Sequence, residues 1–129
     1  SKTTCEVSLP AVPVPDALKV CTYRFFQEAL TNSFKHGQGR SPAVLAKGTD
    51  AFIVLKVSDQ GPGLSSLSAR SYNNGLGLVG LRDRIETLGG QLEVEPSVSG
   101  FTLTASFDLS ETRRLDASDA EQDQHSRRG

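Results

Sequence analysis

Asn73-Asn74-Gly75-Leu76-Gly77-Leu78-Val79-Gly80-Leu81-Arg82 turns a polar, glycine-rich loop into an amphipathic helix, and the rest of the chain is organised around it. Successive backbone amides at such a helix start point outward, with the positive end of the helix dipole behind them, which makes a site for phosphate. Gly75-x-Gly77-x-x-Gly80 with Glu95 also fits the dinucleotide fingerprint. That fingerprint needs an apolar strand directly before the first glycine. Residues 64–74, Leu-Ser-Ser-Leu-Ser-Ala-Arg-Ser-Tyr-Asn-Asn, read instead as a loop with little to pack, suited to a mobile flap over a ligand.

Downstream of the loop, Leu78, Leu81, Ile85 and Leu88 recur at helical spacing until Gly89-Gly90 stops them. Arg82 and Arg84 read as solvated ion-pair formers, with Arg82 close enough to the loop to meet a ligand. Leu92 and Val94 alternate with Gln91, Glu93 and Glu95. After a turn over Pro96 to Gly100, Phe101, Leu103, Ala105, Phe107 and Leu109 alternate strictly with polar residues, the mark of a strand with one wet and one dry face. From Ser110 the sequence is polar and mixed in charge, which predicts a disordered tail over 110–129 that carries His125 without functional weight.

Upstream, Cys5, Val7 and Leu9 alternate with Glu6 and Ser8 as in a half-buried strand, and Pro10, Pro13 and Pro15 impose an extended connector. Asp16 caps a helix whose apolar stripe is Leu18, Cys21, Phe25, Ala29 and Phe34, ended by Gly37-Gln38-Gly39. Glu28, Asn32, Lys35 and His36 form a second, polar stripe on that helix beside its apolar face. A carboxylate, a carboxamide and basic groups projecting together could hold a hydrated Mg²⁺ and the phosphates it bridges, although such stripes are more commonly plain solvated faces.

Ala43–Ala46 and Phe52–Val57 read as a hairpin across Gly48-Thr49-Asp50. Asp59 shares the parity of Ile53, Leu55 and Val57, so its carboxylate points to the face that the helices cover and needs a donor there. An adenine amino group is a suitable one. Gly61-Pro62-Gly63 follows directly and lets backbone approach a flat ring, although by itself this stretch is also an ordinary tight turn.

The chain has 129 residues with 36% hydrophobic content, enough for one domain with a modest core. Its net charge of −1 gives no sign of a nucleic-acid partner, and no apolar run approaches membrane-spanning length. It is expected to be soluble and cytoplasmic, with Cys5 and Cys21 as buried, reduced thiols. The absence of methionine and the Ser1-Lys2 start read as part of something longer.

Three ordered motifs now coincide, and together they resemble the ATP-binding superfamily of gyrase, MutL and histidine kinases. Tyr23-Arg24-Phe25-Phe26-Gln27-Glu28-Ala29-Leu30-Thr31-Asn32-Ser33-Phe34-Lys35-His36 looks like the asparagine box of the nitrate-sensor-type histidine kinases. Asp59-x-Gly61-x-Gly63 resembles the first glycine box, and Gly75 through Ile85 the second. The resemblance spans roughly residues 5 to 109, and it implies a domain over 1–109 with the Bergerat-type ATP-binding fold. That fold is a two-layer α/β (α+β) sandwich, with helices on one face of a mixed, mostly antiparallel sheet.

Carried over by position, the resemblance implies that Asn32 coordinates Mg²⁺ and that Glu28 positions metal or water, its position being that of the general base in hydrolytic relatives. Lys35 contacts phosphates with His36 nearby, and Asp59 accepts from the adenine amino group while Gly61 and Gly63 shape the pocket. Gly75, Gly77, Leu78 and Gly80 wrap the phosphates of ATP or ADP. A kinase of this kind also requires an acceptor-histidine dimerisation domain upstream and a response regulator downstream. Neither His36 nor His125 sits in the setting of an acceptor, so this chain is expected to bind nucleotide, to be monomeric, and not to complete autophosphorylation alone. No direct membrane contact is expected of the domain. A stand-alone regulator of the anti-sigma serine-kinase type, or a dinucleotide-binding oxidoreductase, is the alternative.

Overall fold

The computed structural model describes residues 4–8, 13–36, 42–59, 78–97 and 100–117. They form β1 (Thr4–Ser8), α1 (Asp16–His36), β2 (Ala43–Gly48), β3 (Phe52–Asp59), α2 (Leu78–Thr87), β4 (Gln91–Ser97) and β5 (Gly100–Asp108). A further helix, α3, covers residues 109–117. The five strands make one sheet in the order β1-β2-β3-β5-β4. β1 runs parallel to β2, and every other pairing is antiparallel, so the sheet is mixed and mostly antiparallel, as the resemblance implies.

Register decides which face is dry. Ile53, Leu55 and Val57 of β3 stand opposite Phe107, Ala105 and Leu103 of β5, and Leu92 of β4 stands opposite Ala105. These side chains share one face and are buried with Leu18, Cys21, Phe25 and Ala29 of α1 and Leu78, Leu81, Ile85 and Leu88 of α2 in a single core. The opposite parity, Val54, Lys56, Ser58, Thr102, Thr104 and Ser106, is exposed or only half-buried. Both helices therefore pack on one side, giving two layers.

Gly89 ends α2 with φ at 79°, the left-handed conformation that favours glycine after a helix, and the Gly90 amide donates to the Ile85 carbonyl at 2.9 Å.

Two expectations need correction. The chain beyond Ser110 does not become irregular at once. The Asp108 carboxylate accepts from the Ser110 amide at 2.9 Å and the Glu111 amide at 3.3 Å, an N-cap that starts α3. Leu109 and Thr112 are buried, and Arg113 Nη2 donates to the Pro13 carbonyl at 3.1 Å. A polar composition is compatible with helix here because only one narrow stripe has to be covered. Residues 118–129 lie outside the described part.

Cys5 is the second correction: it is exposed, as are Glu6, Val7 and Ser8, because β1 is the edge strand of the sheet, and only Cys21 is buried.

Candidate functional site

Asp59 is the last residue of β3, in register with Phe101, and only 4% exposed. It continues the inward parity of Ile53, Leu55 and Val57, so its carboxylate lies on the face covered by the helices. An ionised carboxylate in such a place is costly unless hydrogen bonds or charges compensate it. Asp59 does interact within the chain.

α1 packs against β3 and α2. It is a helix of 21 residues that runs unbroken to His36. Glu28, Asn32, Lys35 and His36 therefore occupy positions within about 100° of arc on one side of it. Glu28 is half-buried, next to the fully buried Ala29. The side chains of Asn32, Lys35 and His36 lie outside the described part, as do Gly61, Gly63, Gly75, Gly77 and the flap over 64–74.

Mg²⁺ is an ion that needs few protein donors. This ion usually keeps several waters and is held by one or two protein oxygens together with substrate phosphates. Residues 28 and 32 stand four apart on one side of α1, and both are of an oxygen-donor type. Among the described residues there is no group of three or more His, Cys, Asp or Glu able to hold a metal without such help.

Leu78 opens α2 with its side chain fully buried in the core, so only its backbone is available to a ligand. Gly80 lines a groove of about 510 Å³ between α1 and α2, together with Ala17, Val20, Asp83, Arg84, Thr87 and Leu88. A Cβ added at Gly80 would meet nothing within 4 Å, so no described neighbour requires glycine there. Ala17 and Val20 belong to the first turns of α1, whereas Glu28 lies two turns further along. The groove is therefore distinct from the polar stripe, and Gly80 is placed beside the groove.

Arg82 is more enclosed than a fully solvated side chain. It is half-buried, and its Nη1 donates to the Leu92 carbonyl at 2.8 Å, tying α2 to β4. Nothing in the spacing of the sequence signals this bond.

Cys21 of α1 is fully buried, and burial pushes its thiol from 9.0 up to about 11, an effect the Arg84 guanidinium partly offsets. It is an inert core thiol, not a nucleophile.

No helix among the described residues is long and apolar enough to cross a membrane.

Residues 19–111 match the family described as histidine kinase-, DNA gyrase B-, and HSP90-like ATPase. The nitrate/nitrite sensor protein NarX of Escherichia coli K12 is 32% identical over 97 residues, covering 75% of this chain and 16% of NarX. The signal transduction histidine-protein kinase/phosphatase DegS of Bacillus subtilis is 28% identical over 81 residues, covering 62% of this chain and 21% of DegS. The chain thus spans less than a quarter of the length of either relative. Among solved structures, the histidine kinase domain of the blue-light activated histidine kinase from Erythrobacter litoralis EL346 superposes with a TM-score of 0.71 at 22% identity, covering 89% of this chain and 55% of that one. At that identity the likeness is one of fold.

Proposed function

This chain belongs to the histidine kinase-, DNA gyrase B-, and HSP90-like ATPase family, and on that premise we propose that it is the ATP-binding catalytic domain of a two-component sensor histidine kinase. In this reading it binds Mg-ATP and aims the γ-phosphoryl group at a histidine on a dimerisation domain, from which a response regulator takes it onto aspartate. The observation that carries the reading is Asp59, a buried carboxylate at a strand end on the face beneath the helices. The relatives named above, a nitrate/nitrite sensor and a histidine-protein kinase/phosphatase, support the kinase branch over a stand-alone serine-kinase regulator.

Each residue has a task that follows from its chemistry. Asp59 accepts from the exocyclic amine of adenine and so selects the base. Glu28 and Asn32 supply oxygen donors at the phosphate end, and Lys35 and His36 offset negative charge there. The backbone amides of residues 75–80 wrap the phosphates. Bound Mg²⁺ would neutralise phosphate charge. Phosphoryl transfer asks little covalent chemistry of a protein, and positioning supplies most of what is required.

Calorimetric titration of this chain with ATP, GTP and NAD in magnesium tests the proposal. Binding of ATP at micromolar or weaker affinity, roughly 6 to 8 kcal/mol, is expected. Preference for NAD would overturn it.

A further inference from the structure

We infer that Arg82 is a positioning residue for the phosphate-binding end of α2, acting through the sheet instead of through the ligand. The inference rests on the nucleotide reading above and adds a residue to it. α2 begins at Leu78, directly after the glycine stretch 75–77, so Arg82 sits just over one turn from the helix start. Its Nη1 donates to the Leu92 carbonyl at 2.8 Å, ten residues further along the chain and beyond the turn at Gly89 and Gly90. β4 is the edge strand on that side of the sheet, and edge carbonyls without a neighbouring strand are open to side-chain donors.

Much of what anchors α2 is apolar. Leu78, Leu81, Ile85 and Leu88 hold it against the core, while Asp83, Arg84 and Glu86 are exposed. Apolar burial is non-directional and tolerates small slides and rolls of a helix. A charge-assisted hydrogen bond has a set length and direction, so it fixes how the first turn sits on β4. The amides at the helix start inherit that setting, and a misplacement of even 1 Å is costly for phosphate alignment.

The test compares wild type with Arg82→Met, which keeps an apolar stem and removes the donor, and with Arg82→Lys, which restores one donor. Hydrogen exchange is measured without nucleotide, and affinities for ATP, ADP and adenosine are measured by competition. Arg82→Met should speed exchange in the first turn of α2 while β3 and β5 keep wild-type rates. It should weaken ATP and ADP about tenfold and leave adenosine nearly unchanged. Arg82→Lys should recover part of both effects.

Unchanged exchange in the nucleotide-free protein together with weakened ATP binding would overturn the inference, because that pattern belongs to a direct ligand contact. Equal loss of ATP, ADP and adenosine, or faster exchange throughout the sheet, would overturn it in favour of a general structural role. Failure of wild type to bind either ATP or adenosine would refute the nucleotide reading instead, and the exchange data would still report whether the clamp holds α2.

Discussion

The Thr112 hydroxyl lies 2.9 Å from the carbonyl of Leu88, and 24 residues of chain separate the two. It is also 3.0 Å from the carbonyl of Asp108, so its one proton is shared between the end of α2 and the start of α3. The last carbonyls of a helix have no partner within the helix, and Thr112 supplies one in a fully buried place. Thr112→Val keeps the shape and leaves the Leu88 carbonyl unsatisfied. It should cost about 1–3 kcal/mol in urea unfolding, and an unchanged midpoint would show that α3 is not integral to the domain.

Gly90 makes a sharper packing test. A Cβ there would lie 2.6 Å from Phe107 Cδ1 and 2.8 Å from the Ser106 carbonyl oxygen, and the strand backbone cannot easily retreat. Gly90→Ala should lower stability by about 1–3 kcal/mol. Gly80→Ala, with open space around the new methyl, should leave thermal stability unchanged or raise it slightly.

The two thiols should separate by reactivity. Cys5 is exposed and should label with iodoacetamide at the rate of a free thiol, whereas Cys21 should label only on unfolding. The Cys21 pKa is raised in the folded chain, from 9.0 to about 11. Its contribution to stability is therefore complete below about pH 9 and is lost as pH rises toward about 11, because the unfolded thiol releases its proton first. Cys21→Ala should flatten melting temperature against pH across that window, and an unaltered slope would refute the assignment.

Magnesium should matter through α1. Removing Mg²⁺ with a chelator should weaken ATP binding to wild type and have little further effect on Asn32→Ala. An equal loss in both proteins would remove Asn32 from the metal site.

Much of this fold could be read directly from residue patterns. The alternation from Phe101 onward became β5 as far as Asp108, with Leu109 opening α3, and the stripe Leu78, Leu81 and Ile85 became α2, with Leu88 just past its end. The parity of Asp59 with Ile53, Leu55 and Val57 placed its carboxylate on the covered face because side-chain direction alternates along a strand without a bulge, as β3 is. Cys5 was misread because alternation says which side of a strand is apolar, not whether anything covers it. The helix after Asp108 was missed because its covered side is narrow, with Leu109 and Thr112 buried and Leu115 half-buried, although Asp108-Leu109-Ser110-Glu111 does contain a capping pattern. The bond from Arg82 to Leu92 joins two elements through a backbone carbonyl, which leaves no trace in side-chain spacing.

The central claim is that Asp59 reads the adenine amine, and a comparison of ATP with GTP on wild type and Asp59→Asn tests it most directly. Wild type should favour ATP clearly, and Asp59→Asn, whose amide offers a donor as well as an acceptor, should lose most of that preference while its fold survives by circular dichroism. An unchanged ratio of ATP to GTP affinity in folded Asp59→Asn would contradict the account.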